Sequence, residues 1–385
     1  MAEIIENIDI SKIRDQELNF LFGAGASVGL FPTLATKMKD SDGNWESIET
    51  LAQYFEDLAQ DDYKSLLFMY YYKQCIEPVM QFEWNNQEKI NDLIKNRTER
   101  IDVINNYKKF LCTLLSILET KSEHDKKINL FTTNYDSCFV EAFENLDEST
   151  KVKLTLNDGS HGFKIKTLEV RNFDLLKIRK SPFDNHQSVI PQINIIHLHG
   201  SAYWRKKNES IQVQYNNDDR VIYDIPDFEF KQFQKMIEKD DSKREDIDFN
   251  LDVICSSSFK GNSISFWDKY KKLPIVNPTK WKFHETVFEE HYYQMLRYMS
   301  YMLEKRNSTL ITFGFSFADE HIRNLLKRAL NNKYFTMYIC CFKKENVHYL
   351  NKYFGEFNNV KYVVSDNNLD FSEFNKEIFT LDDVL

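Results

Sequence analysis

Glu17-Leu18-Asn19-Phe20-Leu21-Phe22 runs directly into Gly23-Ala24-Gly25-Ala26-Ser27. The first six residues are mostly apolar and end at a glycine, the pattern of a short strand buried on both faces. Ala26 onward can open a helix whose N-terminus points back at the loop. Strand, Gly loop and helix in that order suit a dinucleotide. A pyrophosphate approaches the backbone closely there and meets free N–H groups and the positive end of the helix. The fingerprint is incomplete: Gly23 and Gly25 are correctly spaced, but Val28 holds the third position and the next glycine is Gly29. A tight strand-to-helix turn of small residues accounts for the glycines equally well.

Three later segments repeat the arrangement of an apolar run ending in a short polar turn. Leu130-Phe131 leads into Thr132-Thr133-Asn134-Tyr135-Asp136, and Gln192 to Leu198 leads into His199-Gly200-Ser201. Thr309 to Phe313 leads into Gly314-Phe315-Ser316-Phe317. An open α/β sheet places its ligand outside such strand ends. An Asn or Asp just after a strand also reads as a helix cap, whereas Asn134 can donate to a carboxamide or hold a water. Asp136 can bond backbone N–H groups or a sugar hydroxyl. His199 stands at a strand end before a glycine and carries the side chain best matched to proton transfer near neutral pH. His197, two residues earlier, reads as a core residue. Ser316 can bond ribose or phosphate, and Gly314 permits close approach. Asp319 and His321 read as a cap and a solvated neighbour on the next helix.

Between and beyond these segments the periodicity alternates. Residues 45–121 read as a helical insertion, with helical spacing over Ile48 to Leu58 and Val103 to Leu118. Strands are expected at Lys127 to Thr133, within Lys151 to Ile178, and at Gln192 to Leu198. The pattern resumes at Leu273 to Val276, and further strands are expected at Thr309 to Phe313, Phe335 to Cys341 and Lys361 to Val364. Helices are expected at Ser137 to Asn145, His284 to Arg306, Asp319 to Asn331 and Glu345 to Phe354. Residues 202–272 fit the alternation poorly. Gln212 to Tyr215 and Val221 to Tyr223 pair as a hairpin in this reading, and the mixed charges of Ile237 to Phe249 form a solvated face. The fold class is α/β: a Rossmann-like, mostly parallel sheet with helices on both faces, built from residues 1–44 and 122–385, plus the helical insertion.

Composition bounds the function. The 385 residues are 42% hydrophobic and 28% charged, with 31 Phe and 20 Tyr but only 10 Gly. The net charge of −9 argues against a chain-wide nucleic-acid surface. Met1 to Ile10 lacks the basic and apolar regions of a signal peptide, and no apolar run reaches membrane-spanning length. None of the six cysteines forms a C-x-x-C pair, so neither a zinc ribbon nor a disulfide framework is indicated. The expectation is a cytoplasmic protein without membrane attachment, direct nucleic-acid binding or zinc.

Taken together, the four segments resemble the NAD-binding core of the sirtuins, in the order of that family. The resemblance covers the sheet core, about half of the chain, and leaves out the helical insertion and residues 202–272. It implies a dinucleotide held by Gly23, Ala24, Gly25, Ala26 and Ser27, a turn at Thr133 to Asp136 near the nicotinamide ribose, and an adenosine contact from Gly314, Phe315 and Ser316. Asn134 and His199 are the implied catalytic pair. Thr133 and Tyr135 replace the Gln and Ile of the deacylase turn. Only Phe31-Pro32 stands where deacylases carry Pro-Asp-Phe-Arg, and the four-cysteine zinc module is missing. The motif forms look like bacterial sirtuin-like antiphage NADases, and Asn277-Pro278-Thr279-Lys280 to Phe283 most resembles those paired with a HerA-type ATPase. This implies NAD as substrate, restraint through a homo-oligomer or the ATPase, and an interface from aromatic helical segments such as Phe68-Met69-Tyr70-Tyr71-Tyr72. A core role for those aromatics is the competing reading. A protein deacylase and a non-catalytic NAD or ADP-ribose sensor are the competing functions.

Overall fold

Short apolar runs pair into one eight-stranded, fully parallel sheet. The computed structural model describes residues 3–33, 35–43, 45–82, 99–181, 187–215, 221–222, 224–240, 242–247, 257–277 and 290–381. The strands of the central sheet are β1 (Glu3–Ile5), β2 (Glu17–Phe22), β3 (Lys127–Thr132), β4 (Thr155–Asn157), β5 (Gln192–His197), β6 (Ser308–Phe313), β7 (Thr336–Cys340) and β8 (Val360–Val363). Their spatial order is β1-β8-β7-β6-β2-β3-β5-β4, with every neighbouring pair parallel. From β2 the chain builds outward through β3 on one side, then returns to the other side at β6. The strand order therefore reverses beside β2, where a doubly wound sheet opens a crevice at the strand ends.

Alternation along each strand fills two separate cores. Phe20, Phe22, Ile128, Leu130, Ile195, Ile311 and Phe313 pack on one face, with the Glu99–Thr120 helix, the Cys138–Glu144 helix and the C-terminal Phe371–Ile378 segment. Leu21, Phe131, Ile196, Leu310, Met337 and Ile339 pack on the other, beneath helices Glu290–Glu304, Glu320–Leu330 and Asn346–Phe354. Helices on both faces explain why the strands are apolar throughout rather than alternating.

One row on the second face is polar. Asn19, Asn129 and Asn194 sit directly opposite one another on β2, β3 and β5 and are fully buried. Asn129 Nδ2 donates to Asn19 Oδ1 at 2.9 Å, Asn194 Nδ2 to Asn129 Oδ1 at 2.8 Å, and Gln192 Nε2 to Asn194 Oδ1 at 2.8 Å. A one-residue slip of any strand would set an amide against an apolar side chain, so the ladder fixes register. Asn129→Leu leaves the Asn19 carbonyl oxygen buried without its donor. We expect a loss of about 1–3 kcal/mol, read from the urea midpoint; an unchanged midpoint would count against the ladder.

Three local expectations change. No α-helix follows the Gly loop: Ala24–Ser27 is a single 3-10 turn, and the chain continues into a hairpin of Ala35–Lys39 with Trp45–Ser47. Gly29 adopts φ +95° and Pro32 follows, two breaks close together. Ser210–Val213 pairs not with 221–223 but with Trp204–Lys207, across a tight turn in which Asn208 takes φ +56°. Tyr223 lies outside the described residues. Leu273 to Val276 joins no sheet and makes one isolated bridge, Ile275 to Gly200.

The helices otherwise follow the periodicity. Ile48–Asp57 begins with a capping box at Ser47 and Thr50, and Asp61–Tyr71 continues through Tyr72–Ile76 to Glu77–Met80. Phe68 to Tyr72 are buried in the first core, so this run is interior packing rather than an exposed interface. The helix expected from His284 is described from Glu290. The segments 83–98 and 278–289, which include the Pro278 to Phe283 stretch, lie outside the described residues. Among the described residues no helix is long and apolar enough to cross a membrane.

Candidate active site at four neighbouring strand ends

The four segments singled out in the sequence follow β2, β3, β5 and β6. These strands are consecutive in the sheet, in the order β6-β2-β3-β5. Parallel pairing puts all four C-terminal ends at the same edge. The loops are tied to one another around a closed ring of hydrogen bonds.

The Gly loop meets the fourth loop first. Gly23 N donates to Phe313 O at 3.0 Å, and Gly25 N donates to Gly314 O at 2.9 Å. A Cβ on Gly23 would lie 2.5 Å from Gly314 O, and one on Gly25 would lie 2.6 Å from Gly314 Cα. Gly314 itself has φ +61°. These glycines let two backbones touch, a reason for their presence that involves no ligand.

Ser27 then binds the second loop. Its hydroxyl is 2.8 Å from Asp136 Oδ2, 2.9 Å from Tyr107 OH and 3.3 Å from Asn134 Nδ2. A hydroxyl offers one donor and two acceptor positions. It donates to the carboxylate and accepts from Tyr107 and Asn134, so its capacity is filled inside the protein. Ser27 is buried, and Tyr107 reaches it from the Glu99–Thr120 helix. The other oxygen of Asp136 accepts from Cys138 N at 3.0 Å, the first N–H of the helix that follows.

The second and third loops are joined twice. His197 Nδ1 donates to Asn134 O at 2.9 Å. Burial pushes the His197 imidazole below its usual pKa. A neutral ring that donates from Nδ1 keeps Nε2 unprotonated. On the other side, Ser201 Oγ and Ala202 N both donate to Tyr135 O. Thr133 N donates to Phe22 O at 3.1 Å, which ties this turn back to β2.

His199 closes the ring onto the fourth loop. Its Nε2 lies 2.9 Å from Asp319 Oδ2, and both side chains are buried. Asp319 Oδ1 accepts from His321 N at 2.9 Å and Ile322 N at 3.0 Å, so the residue caps the Glu320–Leu330 helix as expected. The second oxygen, turned to His199, is the part that reading a cap from sequence missed. Between Gly314 and Asp319 the chain turns at Phe317, which has φ +59° although it is bulky and buried. A non-glycine residue held there costs about 1–3 kcal/mol. Packing between Phe315 and Phe354 holds it, as does the Arg323 Nη1 donation to its carbonyl at 2.6 Å.

A strap just after the poorly patterned region clamps two of the loops. Val276 N donates to His199 O at 2.8 Å, and Val276 O accepts from Tyr135 OH at 2.9 Å. One residue thus holds the loop of His199 and that of Asn134. Gly200 has φ +81°, and a Cβ there would lie 2.1 Å from Pro274 O.

Of the residues proposed from sequence, Asn134, Asp136 and Ser27 form one buried cluster, and His199 pairs with Asp319, the helix cap just after the fourth segment. Ser316 is exposed on that loop. Among the described residues no group of three or more His, Cys, Asp or Glu side chains could hold a metal ion. No protein-family model matches the chain, and no curated protein matches it.

Proposed function

We propose that the chain is a sirtuin-like NAD hydrolase that cleaves the nicotinamide–ribose bond to give nicotinamide and ADP-ribose. The observation that carries the reading is the closed ring of four loops at the reversal of the strand order, with a carboxylate-held imidazole in it. A doubly wound sheet takes its nucleotide at such a reversal, and such an imidazole suits proton transfer. In the proposed reaction the C–N bond breaks, and nicotinamide leaves with the bonding electron pair. Water adds to the oxocarbenium-like carbon, and its proton passes through His199 to solvent. Asn134, whose Nδ2 is donated to Ser27, offers its carbonyl oxygen to the ribose or the attacking water. Gly23 to Ala26, Thr133 and Gly314 to Ser316 border the dinucleotide. Ser27 and Asp136 organise the loops rather than touch phosphate, because their polar atoms face one another.

The proposed setting is cytoplasmic antiphage defence by NAD depletion, with a homo-oligomer or a HerA-type ATPase restraining the activity. The test is incubation with NAD, with and without that ATPase and with and without an acetylated peptide, followed by chromatography. We expect nicotinamide and ADP-ribose in equal amounts and no requirement for peptide. Release that depends on the peptide would make the protein a deacylase. NAD bound but unconsumed in every mixture would make it a sensor.

A further inference from the structure

The contact between His199 and Asp319 defines which nitrogen of the imidazole is available. Asp319 accepts from two backbone N–H groups through Oδ1, and in its ionised form it has no hydrogen to give through Oδ2. The hydrogen between Asp319 and His199 therefore belongs to Nε2 of the imidazole. That leaves Nδ1 with its lone pair. Both partners are buried, so solvent competes little for the contact. The carboxylate is itself anchored. It caps the Glu320–Leu330 helix, after the left-handed turn at Phe317 that Arg323 and Phe354 hold. His199 is fixed from behind by its carbonyl bond to Val276 N.

We propose that Asp319 is a positioning residue that holds His199 in the Nε2–H tautomer and makes Nδ1 the proton-accepting atom. This rests on the NAD-hydrolase reading of the same site. The carboxylate also stabilises the imidazolium that forms when Nδ1 takes a proton, as an oriented carboxylate does for a catalytic histidine elsewhere. It touches no substrate. Its effect is expected in turnover and not in NAD affinity.

Asp319→Asn separates this role from capping, because Asn caps a helix as well as Asp does. Keeping both cap bonds requires the amide oxygen at the Oδ1 position, so the NH2 group faces His199 Nε2 and forces the other tautomer. Asp319→Ser keeps a capping oxygen but is too short to reach His199, and serves if the Asn variant misfolds. We expect kcat to fall on the order of 10²-fold or more, with KM for NAD and the melting temperature close to wild type. Histidine-selective ¹⁵N NMR reads the tautomer without any turnover: Nε2–H for His199 in the wild type, lost in Asp319→Asn. A variant with wild-type kcat, or a wild-type spectrum with Nδ1–H at His199, overturns the proposal. Full NAD cleavage by His199→Ala would instead reject the site reading itself. An inactive His199→Ala beside a fully active Asp319→Asn would reject only the role of Asp319.

Discussion

His199→Ala should lower the rate of NAD cleavage by about 10²–10⁴-fold, the usual worth of a positioned general base or acid. The chain should stay folded. The substitution removes the imidazole contact to Asp319 Oδ2, whereas Oδ1 keeps both backbone bonds of the helix cap. Losing one buried hydrogen bond to a charged group costs about 1–3 kcal/mol, which lowers the melting temperature without abolishing the fold. Asn134→Ala provides the companion measurement. It removes the Nδ2 donation to Ser27, but the Asn134 carbonyl bond from His197 belongs to the backbone and persists. Both variants should therefore show native circular dichroism and little nicotinamide release. Wild-type rates of NAD consumption in both, under conditions where the unaltered chain is active, would remove the site from the argument.

Gly200→Ala should destabilise the fold strongly. Two costs add. A left-handed backbone costs an L-residue about 1–2 kcal/mol, and a Cβ 2.1 Å from Pro274 O must push the strap away. Forcing extra atoms into a filled space costs about 1–3 kcal/mol more. The sum, about 2–5 kcal/mol, should appear as a lower urea midpoint. Gly43→Ala is the control, since Gly43 has a similar φ of +83° with nothing within 4 Å of the added carbon. It should show only the backbone part. The strap is also what couples stability to activity. Displacing Pro274 moves Val276, whose N–H and carbonyl hold His199 and Tyr135. Gly200→Ala should therefore lose NAD cleavage even at temperatures where it is folded. Equal midpoints for the two alanine variants would show that the strap yields freely.

Much of the fold was legible because its signals are local. Glu17–Phe22, Lys127–Thr132, Gln192–His197 and Ser308–Phe313 are apolar runs that end at small or polar residues, and each is a strand. Run length and composition decide that within a few residues. Local signals also misled. Ala26 onward looks like a helix start, but the chain makes one 3-10 turn at Ala24–Ser27 and is then broken by Gly29 and Pro32. Trp204–Lys207 is too basic to look like a strand, yet the tight turn containing Asn208 pairs it with Ser210–Val213. Leu273 to Val276 also reads as a strand, yet it makes a single isolated bridge, which follows from where Gly200 lies.

The triplets Glu17-Leu18-Asn19, Lys127-Ile128-Asn129 and Gln192-Ile193-Asn194 are plain in the sequence. They mean nothing until β2, β3 and β5 are neighbours in register, when three amides separated by long stretches of chain become a ladder. The site divides the same way. The sequence alone determined that four apolar runs end in Gly, Asn, His and Ser turns, because turn chemistry depends on the residues of the turn. Only the tertiary structure decided what each group faces. It turned Ser27 inward to Asp136 and Tyr107, used Gly23 and Gly25 for contact with Gly314, and set the second oxygen of a cap against His199. Partners of that kind are chosen by strand order and by the crossing of loops at one sheet edge, and neither is encoded within the span of any one motif.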